Sequence, residues 1–166
     1  RAVLGQQVSV AGARTLAARL ATELGEPVCT PWPELTRTFP GPAALAQVAP
    51  ESLAMPQARG RALQGLCAAL SDDSISLDRG SARHDVRRQL LALPGIGPWT
   101  ADYIVMRALG DPDVFLSTDL GVRHALAARG AAATPAEATR LAARWAPWRS
   151  YAVVYLWRSV AAGSEN

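Results

Sequence analysis

The feature that most constrains this chain is a break inside a helix-forming apolar run, LALPGIGPWTADYIVMRAL at residues 91–109. Pro94 and the following glycines, Gly95 and Gly97, end one helix and permit a sharp turn of the backbone. Pro98 then stands at a first helical position, where the missing proline N–H costs nothing. The stretch predicts two helices joined by a very tight hairpin, whose backbone can closely approach an outside molecule.

Helical patterns fill the rest of the chain, and no segment has the alternation of a convincing strand. Residues 71–81 are polar and predict a loop. Ser117 or Thr118 is the predicted N-cap of a helix that starts at Asp119, and Thr134 with Glu137 predicts a capping box. The sequence therefore predicts an all-α fold, with helices over residues 2–24, 43–48, 50–53, 59–70, 82–91, 98–109, 119–129, 134–145 and 149–161.

The length of 166 residues fits one domain or two small lobes. No apolar run is as long as a membrane span, and no secretion signal opens the chain. Because the chain begins with Arg1 and leads straight into an apolar segment, we expect it to be the C-terminal part of a longer protein.

The 17 basic residues outnumber the 14 acidic ones, which favours polyanions slightly. All 17 are arginine, a bias that a GC-rich genome explains as well as function does, and the chain has no lysine. Cys29 and Cys67 are the two cysteines and lack a CxxC spacing. This spacing excludes zinc or iron–sulfur sites built on cysteine and suits a reducing cytosol.

The glycine-rich hairpin has two readings. Its exposed backbone N–H groups and the N-terminus of the next helix can hold a phosphate, which fixes position on a nucleic acid without reading bases. A helix connection selected only for tight packing explains the glycines equally well. The turn alone leaves both readings open.

A carboxylate at Asp119, near a helix start, is ordinary because the helix dipole favours it there. The apolar run at residues 114–116 is expected to be buried, however, and would present Asp119 at the mouth of the core. Asp102 is expected to be structural, in an ion pair or a helix contact.

The aromatic residues fall into two groups. Trp99 and Tyr103 lie four residues apart on one helix face, directly after the hairpin, where they could stack on a base and attract a cationic one. Trp145 and Trp148 are expected to pack in the core.

The hairpin motif followed by DVFLSTD resembles the hairpin and catalytic-aspartate signature of the helix-hairpin-helix DNA glycosylase superfamily. The stretches RAVLGQQVSVAGARTLAARL, MPQARGRAL and WAPWRSYAVVYLW extend the likeness, in order, over nearly the whole chain. The resemblance is strongest to the branch of DNA-3-methyladenine glycosylase II, which removes alkylated bases.

The resemblance implies a role for each matching residue. Asp119 would be the catalytic carboxylate, and the pocket for the extruded base would be lined by Trp99, Tyr103 and Trp157. The DNA contacts would come from Gln7, which falls where a side chain fills the gap in the duplex, and from Gly95, Gly97 and Thr100. No cofactor, zinc or iron–sulfur cluster is implied, but relatives hold a monovalent cation on the hairpin carbonyls that correspond to Leu91, Leu93 and Ile96.

The implied protein is a helix-hairpin-helix glycosylase domain over residues 1–166, with two helical lobes and the hairpin at about 83–109, lacking the family's β-rich N-terminal domain. It would act as a monomer on double-stranded DNA in the bacterial cytosol, with no membrane partner. The expected function is base excision repair, in which a monofunctional DNA glycosylase flips out and hydrolyses alkylated purines of the 3-methyladenine type. No lyase activity is expected, because Trp99 stands where strand-cutting relatives have lysine.

Three other functions remain open on the sequence. The chain could excise oxidised or deaminated purines instead. It could be a non-catalytic helix-hairpin-helix DNA-binding module, or a helical interaction domain without any nucleic-acid role.

Overall fold

The computed structural model of the chain describes residues 1–131 and 134–163. Within these ranges the secondary structure is helical, and pairing of extended backbone is limited to an isolated antiparallel bridge between Pro27 and Arg37. The all-α prediction is confirmed. The helices are α1 (Val10–Leu24), α2 (Pro42–Ala46), α3 (Gln57–Ser71), α4 (Arg83–Ala92), α5 (Pro98–Ala108), α6 (Leu120–Ala127), α7 (Pro135–Ala142) and α8 (Arg149–Gly163), with 3₁₀ turns at Pro50–Ser52 and Ala143–Trp145.

None of the helices in the described ranges is both long enough and apolar enough to cross a membrane.

The chain divides into two compact units. The first comprises residues 1–77 and 88–100, and the second comprises residues 78–87 and 101–166. Helices α4 and α5 each contribute residues to both units, because the division falls inside them.

In the first unit, α2 and the turn at Pro50–Ser52 pack on α3. The apolar face of α3 supplies much of the core, which removes these side chains from water and so stabilises the unit. The side chains buried here include Leu4, Leu20, Leu45, Leu63, Leu66 and Leu90.

In the second unit, α6 packs against α8, and α7 packs against both α6 and the turn at Ala143–Trp145. Helix α7 begins with the predicted capping box, in which Thr134 Oγ1 accepts the Glu137 N–H and the Glu137 carboxylate accepts the Thr134 N–H. The buried side chains around these helices include Leu109, Leu116, Val122, Leu126 and Val153.

The predicted start of the first helix at residue 2 was wrong. Helix α1 begins at Val10, after Ser9 caps it by accepting the Gly12 N–H on its side-chain oxygen. Gln7 lies in the left-handed region with φ 55°, which a helix cannot contain. The apolar residues of the first turn, at positions 2–4, are buried without being helical.

The expected burial of the tryptophans was only partly correct. Trp145 is half-buried, with its ring centroid 5.8 Å from that of Phe115. Trp148 is 58% exposed and is no core residue, because it precedes α8 and packs edge-on against the exposed ring of Tyr151. Of the run at residues 114–116, Leu116 is fully buried and its two neighbours are half-buried.

Candidate functional site

Asp119 is the N-cap of α6. Its Oδ1 accepts the backbone N–H of Val122 at 2.9 Å, and its own φ and ψ of −66° and 128° are extended. The predicted cap at Ser117 or Thr118 was therefore wrong, and the helix begins at Leu120. A carboxylate here satisfies an N–H of the first turn and lies at the positive end of the helix dipole. The side chain is half-buried.

The indole of Trp157, on α8, reaches the same carboxylate oxygen. Its Nε1 donates to Asp119 Oδ1 at 2.8 Å, across a sequence separation of 38 residues. Oδ1 thus accepts two N–H groups, one from its own helix and one from α8. Two charge-assisted hydrogen bonds on one oxygen fix the plane of the carboxylate and the direction in which Oδ2 points.

Tyr103 completes this group. Its ring centroid lies 5.9 Å from that of Trp157 with the planes tilted by 40°, and both side chains are half-buried. We call Asp119, Tyr103 and Trp157 the acid–aromatic cluster. A flat cation can stack on such rings, and the carboxylate supplies a negative charge beside them.

The start of α8 is tied to the segment that leads to Asp119. Arg149 donates to both carboxylate oxygens of Asp113 at 2.6 Å, and these hydrogen bonds lower the pKa of Asp113 below its ordinary value. The buried Ser150 hydroxyl donates to the Asp111 carbonyl at 2.6 Å and accepts the Val114 N–H at 2.9 Å. Helix α8 therefore holds this stretch at its beginning and Asp119 two turns later.

Asp102 was predicted to be structural, in an ion pair or a helix contact, and an ion pair is present. It forms an ion pair with Arg87 in the second unit, and the Arg87 pKa is raised by that hydrogen bond. In the described part of the chain, no three His, Cys, Asp or Glu side chains group as a metal site.

The turn of the hairpin, at residues 93–97, belongs to the first unit. Its two glycines differ. Gly95 has φ +82°, and a Cβ there would lie 2.7 Å from the Cβ of Ala62 on α3. A side chain at Gly97 would meet no atom within 4 Å, and its φ is not positive. Gly95 is thus required by the fold, whereas Gly97 is not.

Gln6 is a residue that sequence reasoning missed. Its side-chain amide nitrogen donates to the Gly95 carbonyl at 3.0 Å and to the hydroxyl of Thr100, which is 3% exposed, at 2.9 Å. The neighbouring Gln7, which was predicted to contact DNA, is exposed. Nothing in the pair of adjacent glutamines indicates which one reaches the hairpin.

The other predicted residues lie around the hairpin. Trp99 is half-buried in the first turn of α5, within the first unit. The Leu93 carbonyl accepts the Ile96 N–H at 3.1 Å, closing the turn. Backbone carbonyls such as those of Leu91, Leu93 and Ile96 are the kind of ligand that binds alkali cations.

The chain matches no family model. It is 49% identical over 160 residues to the probable bifunctional transcriptional activator/DNA repair enzyme AlkA of Mycobacterium tuberculosis, a match that covers 96% of this chain and 32% of the relative. It is 39% identical over 160 residues to DNA-3-methyladenine glycosylase 2 of Escherichia coli, covering 95% of this chain and 55% of the relative. The chain therefore spans about a third to a half of the curated relatives it matches.

Solved structures of two 3-methyladenine DNA glycosylases have a fold similar to that of this chain. A 3-methyladenine DNA-glycosylase from Archaeoglobus fulgidus superposes with a TM-score of 0.80 at 25% identity, covering 94% of this chain and 55% of that one. The Mag1 3-methyladenine DNA glycosylase of Schizosaccharomyces pombe, solved in complex with abasic DNA, superposes with a TM-score of 0.77 at 20% identity, covering 95% of this chain and 76% of that one.

Proposed function

We propose that this chain, which belongs to the helix-hairpin-helix DNA glycosylase superfamily, excises alkylated purines from double-stranded DNA. The observation that carries the proposal is the acid–aromatic cluster, in which Asp119 is held by the indole N–H of Trp157 beside the ring of Tyr103. The names and identities of the relatives support the same reaction class.

The chemistry requires an extruded nucleotide, because a stacked base does not expose its glycosidic bond. Turning it out of the duplex costs a few kcal/mol, and less for a damaged pair. A purine alkylated at N3 or N7 carries positive charge. In this proposal, Tyr103 and Trp157 bind that cation by stacking.

The charged purine is already a good leaving group, so general acid catalysis is of little use. As the bond from C1′ to the base nitrogen breaks, the electron pair leaves with the base and positive charge develops on the sugar. The Asp119 carboxylate stabilises that charge and orients the attacking water, whose oxygen bonds to C1′ while its proton passes to the carboxylate. One carboxylate suffices in this proposal, and the product is an abasic site.

The hairpin would hold the DNA backbone. Its backbone N–H groups around Gly95 and Gly97, at the N-terminus of α5, suit a phosphate oxygen. The buried Thr100 hydroxyl, which accepts from Gln6, would support this turn from inside. A monovalent cation on the carbonyls of Leu91, Leu93 and Ile96 would add positive charge there. Gln7, exposed at the end of the first turn, would occupy the gap that the extruded base leaves.

The proposed enzyme is monofunctional. Strand cleavage by a glycosylase needs an amine that forms a Schiff base with the sugar, and the chain has no lysine. Aromatic lining without a lysine favours alkylated purines over oxidised or deaminated ones.

The test is base release from methylated duplex DNA by the complete protein and by Asp119→Asn. The variant should lose roughly 100-fold or more in the single-turnover rate, as expected for removing a charge that acts in the transition state. Its affinity for the duplex should stay within about threefold of wild type, since phosphate contacts dominate affinity. No base release by either protein, with DNA binding intact, would instead identify a non-catalytic DNA-binding module, and an equal rate of release by both would show that Asp119 is not the catalytic carboxylate.

A further inference from the structure

Gly121 lies in the first turn of α6, against the hydrogen bond between Asp119 and Trp157. A Cβ at Gly121 would lie 3.0 Å from Trp157 Cδ1, 3.3 Å from Trp157 Nε1 and 3.2 Å from Asp119 Oδ1. All three distances are shorter than the optimal separation of non-bonded atoms. The missing side chain therefore leaves the space in which this hydrogen bond forms.

The usual conformational reason for glycine does not apply here. The φ of Gly121 is not in the left-handed region, unlike that of Gly95, Gly110 and Gly130. Helix propensity does not favour glycine either, because after proline it is the least favourable residue inside a helix. Close approach of the indole is the reason that the structure offers.

The atoms that a side chain would meet are themselves held. Asp119 Oδ1 is bound to the Val122 N–H at 2.9 Å, so the carboxylate cannot retreat without weakening the cap. The Trp157 ring also packs against the ring of Tyr103. A methyl group at Gly121 must therefore lengthen the 2.8 Å bond between Nε1 and Oδ1 or turn one partner away.

We infer that Gly121 is a positioning residue of the excision reaction, acting through the Trp157 N–H on Asp119. This inference rests on the proposed function and adds a further residue to it. A side chain at position 121 weakens the hydrogen bond from the Trp157 N–H to Oδ1, so the carboxylate is less well aimed at the sugar. The chemical step should suffer while DNA binding does not.

The experiment compares Gly121→Ala with Gly65→Ala in the complete protein. Gly65 lies in α3, and a Cβ there would meet nothing within 4 Å, so this variant controls for adding alanine to a helix. Gly121→Ala should lower the single-turnover rate of base release about tenfold, as expected for misaligning a reacting group. Its dissociation constant for the duplex and its melting temperature should stay close to wild type, and Gly65→Ala should be unchanged in rate.

A double-mutant cycle separates positioning from a general structural effect. In a Trp157→Phe background, which has no indole N–H to displace, Gly121→Ala should change the rate less than about twofold. A full tenfold loss in that background, or no loss in the single variant, would overturn the inference. A loss that parallels a lower melting temperature would also count against it.

A readout independent of catalysis keeps this inference distinct from the proposed function. The Trp157 indole N–H resonance, assigned by its absence in Trp157→Phe, should shift in Gly121→Ala and stay in place in Gly65→Ala. If wild type releases no base but the resonance shifts, then the proposed function fails and the positioning contact stands. An unshifted resonance alongside wild-type base release would refute the positioning role alone.

Discussion

At the scale of the residue, Asp119 combines a structural role and the proposed chemical one on a single oxygen. The same Oδ1 caps α6 and accepts the Trp157 indole N–H. An amide at this position keeps an acceptor oxygen for both donors but loses the negative charge. The two roles can therefore be separated by the choice of substituent.

We predict that Asp119→Ala lowers the free energy of unfolding by about 1–2 kcal/mol, the usual cost of losing an N-cap side chain. Asp119→Asn should cost less than half of that, because asparagine is an equally good cap. Urea denaturation of both variants measures the difference, with Thr134→Ala at the cap of α7 as a comparison that removes a cap elsewhere. Equal losses for Asn and Ala would show that the charge, rather than the acceptor, stabilises the helix.

At the scale of the element, the hairpin shows that two glycines in one motif can be present for different reasons. Gly95 combines a left-handed φ with a close approach to Ala62, so the protein's own backbone and packing exclude a side chain there. Gly97 faces open space, so only an outside molecule could exclude a side chain there. Stability and DNA affinity should respond to different glycines.

Gly95→Ala should lower the free energy of unfolding by roughly 2 kcal/mol or more, because left-handed strain of about 1–2 kcal/mol is added to a clash with α3. Gly97→Ala should leave stability within about 0.5 kcal/mol of wild type, as surface substitutions usually do. It should instead weaken binding to duplex DNA. Denaturation curves and duplex titrations on both variants measure this, and a destabilised Gly97→Ala would argue that the hairpin is selected only for packing.

The ion pair between Asp113 and Arg149 makes the attachment of α8 sensitive to acid. The Arg149 hydrogen bonds lower the folded-state pKa of Asp113 below its unfolded value of about 3.9. The folded protein then binds this proton less readily than the unfolded chain does. The stabilisation is fully present above the unfolded pKa and is lost as the pH falls through the lowered folded one.

Accordingly, Asp113→Asn should lower the melting temperature at pH 7 and have a progressively smaller effect below about pH 4. Melting curves of wild type and variant between about pH 2.5 and 7 measure the convergence. Glu34→Gln, in an exposed irregular segment, is the control for removing one carboxylate charge. A melting-temperature difference that stays constant down to the lowest pH would mean that the ion pair contributes nothing to stability.

Local patterns predicted the elements better than their boundaries and long-range contacts. The capping box at Thr134 is visible in sequence because its partners are three residues apart. The apolar residues at 2–4 were predicted to start a helix, but they are buried in a turn. A short apolar run looks the same in the sequence whether its buried backbone is helical or not. The Trp157–Asp119 bond and the reach of Gln6 depend on tertiary packing, which no local pattern contains.

At the scale of the whole molecule, the absence of lysine limits the reactions that this segment can catalyse. Apart from two histidines, every basic side chain in the 166 residues is arginine. A guanidinium stays protonated and neutralises phosphate, but it does not serve as an amine nucleophile. In the proposed function, the arginines of this segment would neutralise DNA phosphates, but the segment has no lysine amine for the Schiff base that a lyase needs.

The last prediction follows from that absence. Incubating the complete protein with duplex DNA that contains an abasic site, in the presence of borohydride, should give no covalent adduct within this segment. The reason is that reduction traps a Schiff base only where an amine has attacked the sugar.

A glycosylase with known lyase activity serves as the positive control for trapping. Mass spectrometry of any crosslinked peptide locates the attacking group, and an efficient adduct on a lysine outside these residues would contradict the proposal that the complete enzyme is monofunctional. An efficient adduct within the segment would contradict a monofunctional mechanism for this domain.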